Sequence, residues 1–257
     1  MRGTAMKTAA DRMAATYFDA IEFLCKVTPK SWYAERGTAR AAVTYASVVT
    51  LNVSYDTTTE PDLEALDEMA IEVSRQAEHW SIIVRRAGDE VAELAARHGL
   101  TERNELPMLA CAADDLVFRA GAAERKVVHQ VGAAESDLYT EILTQGFEAP
   151  EGTFGELMGG GVLDADPITG YLAEESGRPA GTGLGIVTNG MVGVFNIAVV
   201  PPARGRGLGR SITETVLLDG IAAGADAAYL QASAMGRPLY ESMGFRLVEN
   251  WIMFQAG

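Results

Sequence analysis

Apolar residues recur along the chain with two different periods, one helical and one strand-like, and their succession predicts a mixed α/β protein. Residues 13–27 have apolar residues at helical spacing, which places them on one side of a predicted helix. Residues 40–55 are rich in Val, Thr and Tyr, as a strand or a bent pair of strands requires. The pattern then predicts a helix opening within residues 59–64, a strand at 79–85, a helix at 89–98 and a strand at 106–111.

A similar succession of elements fills the second half of the chain. A strand near residues 127–131 and a helix at 136–146 precede two strands at 168–174 and 180–188. Asn189-Gly190 is a strong signal for a two-residue hairpin turn, and it leads into an apolar strand at 192–200. The pattern ends with a helix at 211–223 and a strand at 227–231. We therefore predict two domains, residues 1–123 and residues 124–257.

The two predicted domains align at an offset of 145 residues, which places Gly99-Leu100 on Gly244-Phe245. The same offset places residues 82–84 on 227–229, so predicted strands and helix ends coincide. This agreement predicts that the first domain is a second copy of the same fold. Chance similarity between two amphipathic α/β segments is the alternative explanation.

Composition and charge exclude several classes of protein. The net charge is -14, from 21 Lys and Arg against 35 Asp and Glu, and a negative surface repels nucleic-acid phosphates and anionic lipid. Two cysteines, Cys25 and Cys111, are too few for a disulfide framework or a four-cysteine zinc site. No stretch approaches the roughly 18 apolar residues of a membrane span, and acidic residues interrupt the N-terminal region. We expect a cytoplasmic monomer or homodimer with no nucleic-acid or membrane partner and no metal.

Residues 204–210 combine three glycines with three arginines, between a predicted apolar strand and a predicted helix. The N-terminus of a helix presents free N–H groups, and glycines let an anion approach that backbone closely. This pattern is typical of a phosphate site, although a simple connecting turn is the alternative. The loop lacks the Lys-Ser/Thr ending of a nucleotide P-loop, and its glycine spacing differs from GxGxxG.

The segment Arg204-x-x-Gly207-x-Gly209, after an apolar strand, resembles the acyl-CoA pyrophosphate motif Q/R-x-x-G-x-G/A of the GNAT superfamily of N-acyltransferases. Residues 239–245, Leu-Tyr-Glu-Ser-Met-Gly-Phe, are similar to the superfamily's L-Y-x-x-x-G-F turn. The resemblance covers about residues 127–254. It implies a GNAT-like α/β fold with a mixed sheet, in a tandem arrangement with a degenerate N-terminal copy.

The resemblance also implies roles for particular residues. Tyr240 would protonate the departing CoA thiolate, whereas a packed aromatic side chain is the alternative reading of that position. Ser233 stands where many relatives have an Asn that contacts the cofactor. The backbone of Ile197, Ala198 and Val199 would pair with the pantetheine arm of acetyl-CoA. The pyrophosphate of coenzyme A would be bound by N–H groups along Arg204, Gly205, Arg206, Gly207, Leu208, Gly209 and Arg210.

The implied activity is transfer of an acetyl group from acetyl-CoA to a primary amine of a small molecule or peptide by direct attack. The general base is unassigned, because the strands at 192–200 and 227–231 contain no acid. Asn196, Glu174 and Glu175 are the nearby polar residues. A non-catalytic acyl-CoA-binding regulator is the alternative function. A carrier of nucleotide phosphate is disfavoured.

In the N-terminal copy, the segment that aligns with the glycine loop predicts no CoA site. Residues 59–64 contain three acids and no glycine, so Coulomb repulsion replaces attraction. Ala95 aligns with Tyr240 and has no proton to donate. Such a copy would cover a sheet edge or shape the acceptor cleft.

Overall fold

The computed structural model describes residues 8–119, 127–155 and 157–257. The predicted domain boundary at residues 123 and 124 lies outside these ranges. The described helices are α1 Ala9–Val27, α2 Leu63–Ser74, α3 Asp89–Arg97, α4 Ser136–Phe147, α5 Leu208–Ala222 and α6 Arg237–Ser242. The described strands are β1 Trp32–Arg36, β2 Ala39–Val43, β3 Asn52–Asp56, β4 Ser81–Val84, β5 Glu102–Ala112, β6 Val128–Val131, β7 Ile168–Glu175, β8 Arg178–Thr188, β9 Met191–Val199, β10 Ala227–Gln231 and β11 Arg246–Gln255.

The elements predicted from periodicity are all present, and their ends follow local signals. Asp62 caps α2 by accepting a hydrogen bond from the Ala65 N–H at 3.1 Å, and Gly99 has a left-handed φ of 76° just after α3. Two strands were not predicted. Strand β1 is half-buried to exposed, and buried and exposed residues do not alternate along it. Strand β11 directly follows the segment that matched the L-Y-x-x-x-G-F motif, and no strand was predicted there.

Within the described ranges, eleven strands form one continuous mixed sheet. Their order is β1-β2-β3-β4-β11-β5-β10-β9-β8-β7-β6. Strand β3 pairs parallel with β4, and β9 pairs parallel with β10, whereas the other neighbours are antiparallel. This confirms the predicted α/β class with a mixed sheet.

The two halves of the chain exchange their last strands. β11, from the end of the chain, lies between β4 and β5, while β5 pairs with β10 of the other half. β5 and β11 also pair with each other at the centre of the sheet. Each half is therefore completed by a strand of the other half, and the two halves share one sheet.

The topology of the two halves repeats at the offset that the sequence predicted. α2 begins at Leu63 and α5 at Leu208, and each helix connects the two strands of a parallel pair. A short helix, α3 or α6, then leads into the exchanged strand. The repeat is thus a property of backbone topology as well as of apolar pattern.

Helix α1 packs across the centre of the sheet, where the halves meet. Its Phe18 ring stacks on Tyr55 and Trp251, with centroids 4.7 and 5.0 Å apart, and the Tyr17 ring meets Trp251 edge-on at 5.0 Å. These aromatic contacts bury large apolar areas from both halves against one helix. The structure describes no helix that is long and apolar enough to cross a membrane.

Candidate functional site

The parallel strands β9 and β10 pair only over their first residues. Three partner pairs join them, and the last is Tyr229 with Gly193. Farther along, β9 has a bulge opposite Gly183, between the pairs Thr182–Ala198 and Leu184–Phe195, and Asn196 adopts a left-handed φ of 52° there. The Thr182 hydroxyl donates to the Asn196 carbonyl at 2.8 Å. Because a bulge bends its strand, β9 separates from β10, and a wedge opens between them.

Backbone groups of β9 face the wedge at alternate residues. The Val200 N–H donates to the Ala180 carbonyl at 2.9 Å, so Val200 and Ala198 direct their backbone groups toward β8. Ile197 and Val199 face the opposite side, toward the wedge. Of the three residues predicted to pair with pantetheine, Ile197 and Val199 therefore have backbone groups on the wedge side, where the Val199 carbonyl already accepts a hydrogen bond from Arg204, whereas those of Ala198 are directed to β8.

The glycine loop after β9 has an open backbone surface at the N-terminus of α5. Gly205 and Gly207 have left-handed φ values of 76° and 85°, and a Cβ added at either would meet no heavy atom within 4 Å. The Ser211 N–H donates to the Gly207 carbonyl at 3.0 Å. The N–H groups that precede this first helical bond have no helical acceptor and are available to an anion. Leu208, 6% exposed, anchors the loop in the core.

Arg204 points away from this surface, although its charge was expected to favour an anion there. Its Nε donates to the Val199 carbonyl at 3.0 Å, its Nη2 to the Gly146 carbonyl at 2.9 Å, and its Nη1 to Glu148 at 2.7 Å. The guanidinium therefore joins the end of β9 to the end of α4. Its role in the structure is to fix the strand that borders the wedge.

The other two arginines of the loop are also paired with protein groups. Arg206 lies 2.8 Å from Glu175, and its side chain is 58% exposed. Arg210 donates to the Ser242 hydroxyl and lies 3.5 Å from the fully buried Glu214. Arg210 thus connects the start of α5 to α6. Because carboxylates balance Arg206 and Arg210, the groups of the loop that are free to face an anion are mainly its backbone N–H groups.

Tyr240 lies on α6 and borders the same wedge. Its side chain packs against Phe245, with ring centroids 6.1 Å apart, and the residue is 8% exposed. Burial raises the pKa of Tyr240 to about 12, so the phenol is protonated at neutral pH. Ser233 begins the turn before this helix, where its Oγ accepts from the Gly236 N–H at 3.1 Å. Tyr240 and Ser233 both line the cavity into which the wedge opens.

That cavity has a volume of about 910 Å³ and is bordered by both halves of the chain. Asn196 and Ile197 line it from β9, residues 47–51 line it from the loop before β3, and α1 and described residues between 147 and 155, with Leu157, contribute further walls. The residues of the last three walls carry no motif that marks them as part of a site, so the sequence alone did not identify them. Glu174 and Glu175 are absent from the lining that the structure describes.

A family model for an acetyltransferase (GNAT) domain matches residues 166–247, which include β9, the glycine loop and α6. This stretch of the C-terminal half is therefore similar to a GNAT domain. The chain is also similar to a solved GCN5-related N-acetyltransferase from Kribbella flavida, with 16% identity, a TM-score of 0.67, and coverage of 98% of this chain and 96% of that one. A GCN5-related N-acetyltransferase from Sphaerobacter thermophilus gives 15% identity, a TM-score of 0.57, and coverage of 97% and 93%. A comparison with curated proteins gives no match.

The loop of the N-terminal half that corresponds to the glycine loop of the GNAT domain is closed by its own side chain. Asp56, fully buried, accepts the N–H of Thr58 at 2.8 Å and the N–H of Asp62 at 3.2 Å. The Thr38 hydroxyl also donates to this carboxylate, at 2.7 Å. An internal carboxylate therefore occupies N–H groups that an anion would need.

Proposed function

We propose that this protein transfers an acyl group, and specifically acetyl, from acetyl-CoA to a primary amine by direct attack. The observation that carries the proposal is the wedge between β9 and β10, which connects three features. The glycine loop with its available N–H groups lies at the end of β9, Ile197 and Val199 face the gap, and Tyr240 borders it on the cavity side. Residues 166–247 also match the acetyltransferase (GNAT) domain.

In the proposed binding mode, the diphosphate of acetyl-CoA accepts hydrogen bonds from the N–H groups of the glycine loop. The pantetheine arm then lies in the wedge, as an added strand that pairs with Ile197 and Val199. This arrangement directs the thioester toward the cavity. The fit is supported by the open space above Gly205 and Gly207, where a diphosphate approaches the backbone without meeting a side chain.

In the proposed reaction, the amine displaces the CoA thiolate directly, without a covalent enzyme intermediate. A neutral amine attacks the thioester carbonyl, a C–N bond forms, and the C–S bond breaks. Tyr240 donates its proton to the departing sulfur, the attacking nitrogen releases a proton to solvent, and solvent returns a proton to the Tyr240 phenolate. Burial keeps the phenol protonated until the sulfur develops negative charge.

We propose that the N-terminal half is a degenerate copy of the fold that binds no CoA. Asp56 occupies the N–H groups of its loop, Pro61 lacks an N–H, and Ala95 replaces the tyrosine. Its contribution is a wall of the acceptor cavity, through residues 47–51. The buried free thiols Cys25 and Cys111 favour a reducing, cytoplasmic location.

A non-catalytic acyl-CoA-binding regulator is the alternative function. It is favoured by one observation, that β9 and β10 carry no carboxylate to act as a general base. Such a protein would use the same loop and wedge but would release no thiol.

Thiol release from acetyl-CoA in the presence of a panel of primary amines separates the two functions. We expect at least one amine to give turnover, and Tyr240→Phe to lower kcat by about 100-fold or more, as loss of a general acid does. Calorimetry on the same variant should give an acetyl-CoA affinity within about twofold of wild type, because the phenol hydroxyl makes no contact with the glycine loop. Binding without thiol release from any amine would support the regulator. Equal kcat in Tyr240→Phe would exclude Tyr240 as the acid.

A further inference from the structure

The acceptor side of the cavity is strongly depleted of charge. The chain as a whole is 22% charged, yet Glu151 is the one carboxylate and His79 the one imidazole among the described residues that line the cavity, and no Lys or Arg lines it. Both Glu151 and His79 are exposed, so they lie at the rim. The interior of the cavity therefore offers a ligand no ionic partner, and the polar groups that line it beside the apolar ones are uncharged: Ser47, Thr50, Thr153, Asn196, Gln231, Ser233 and Tyr240.

Three separate parts of the chain supply the apolar walls. Helix α1 contributes Tyr17, Ile21 and Leu24, each less than 10% exposed, and residues 47–51 add the apolar side chains of Val48, Val49 and Leu51. Buried Phe154 forms a further wall, and Phe147, which is 50% exposed, extends this apolar surface toward the rim; their rings lie 5.6 Å apart. Because α1 and residues 47–51 belong to the N-terminal half, that half determines much of what the cavity accepts.

Resting on the proposed function, we propose that the acyl acceptor is a primary amine attached to a bulky apolar body, aromatic or branched aliphatic. A polyamine, an aminoglycoside or a basic peptide would carry several cationic groups into a cavity whose interior has no carboxylate to pair with them, which costs free energy. An apolar body of matching size instead loses its contact with water on binding, which is favourable. The cavity volume of about 910 Å³ lies within the usual range of ligand pockets, roughly 300 to 1,000 Å³.

The apolar walls also explain how the amine loses its proton although neither β9 nor β10 carries a carboxylate base. Removing an ammonium group from water disfavours its charged form, so the pKa of a bound amine falls. The amine then reaches the thioester neutral and ready to attack. Glu151 at the rim attracts the cationic form from solution, and the proton is lost to solvent as the amine enters the apolar interior.

The test compares kcat/KM, from thiol release, for a homologous series of aliphatic and aromatic primary amines with that for lysine, spermidine and an aminoglycoside. We expect kcat/KM to rise about three- to fourfold for each added methylene until the cavity is full, and the polar amines to be poor substrates. Phe147→Ala should lower kcat/KM for the largest apolar amine about fivefold and leave the KM for acetyl-CoA unchanged. Leu138→Ala is the matched control, since Leu138 is an exposed apolar residue of the same helix outside the cavity lining.

Each outcome separates this inference from the proposed function. If polar amines are better substrates than the apolar series, the acceptor assignment is wrong while acyl transfer stands. If no amine of either class releases thiol, the proposed acyl transfer is wrong. Calorimetric titration of the same amines in the presence of CoA then tests the acceptor inference by itself. Tighter binding of longer apolar amines, weakened by Phe147→Ala but not by Leu138→Ala, would support it, and equal or absent binding across the series would overturn it.

Discussion

Replacing Gly207 with Asp tests whether the glycine loop binds the diphosphate. Gly207 is exposed at the N-terminal end of α5, has a φ of 85°, and has open space around an added Cβ. A side chain at this position therefore meets no steric barrier. The substitution places a carboxylate in the space proposed for the anion, much as Asp56 fills the corresponding loop of the N-terminal half.

The expected magnitude follows from two separate contributions. A residue other than glycine at this φ costs roughly 1 kcal/mol in conformational energy, which lowers stability rather than affinity. Two unit charges about 4 Å apart interact by about 1 kcal/mol in water and about 4 kcal/mol at an effective dielectric constant of 20. Because Gly207 is exposed, we expect about 1 to 2 kcal/mol of repulsion, a roughly 5- to 30-fold weaker Kd.

Calorimetric titration of acetyl-CoA into Gly207→Asp and Gly207→Asn isolates the charge, because the two side chains have nearly the same shape. We expect Asp to bind 5- to 30-fold more weakly than Asn and the difference to shrink at high salt, which screens exposed charges. Wild type should bind one acetyl-CoA per chain, since Asp56 closes the other loop. Affinities of the Asp and Asn variants within twofold of each other would refute binding of the diphosphate at this loop.

Two other predictions concern the stability of the fold. Arg204→Gln should lower the free energy of unfolding by about 1 to 3 kcal/mol, because the Val199 and Gly146 carbonyls lose their charged donor. Denaturant titration measures this loss, and unchanged stability with a much weaker acetyl-CoA Kd would instead assign Arg204 to ligand binding. Buried Tyr17 and Tyr240 each have a pKa raised by desolvation to about 12. In the unfolded chain these phenols ionise near pH 10, so their contribution to the free energy of unfolding is fully present below that pH. The free energy of unfolding should then fall as the pH rises from about 10 to 12, by up to about 1.4 kcal/mol per group per pH unit. Unfolding curves at pH 8 and 11 of equal midpoint would contradict this expectation.

Because of the strand exchange, the two halves of the chain depend on each other structurally. β5 completes the sheet of the GNAT domain beside β10, and β11 completes that of the N-terminal half beside β4. A substitution that weakens the pairing of β5 with β11 therefore acts on both halves. The cavity also depends on this arrangement, because α1 and residues 47–51 reach the wedge only when the halves share one sheet.

The arginines of the glycine loop illustrate a limit of sequence analysis. Their clustering in an acidic chain predicted an anion site at the loop, and that site stays a prediction. Arg204, however, bonds to Gly146 and Glu148, which lie more than fifty residues earlier in the chain. No local pattern distinguishes a guanidinium that binds a ligand from one that joins a strand to a helix.

The sequence by itself determined the features that depend on neighbouring residues: the periods of the helices and strands, the turn at Asn189-Gly190, the glycine loop and the motif around Tyr240. It also determined the repeat at an offset of 145 residues, because both copies keep the same apolar spacing. Only the tertiary structure decided that β5 and β11 change places, that Asp56 closes the N-terminal loop, and that residues 47–51 border the cavity. Strand partners and cavity walls arise from contacts between distant segments, and the free energy of those contacts is not written in any local stretch of residues.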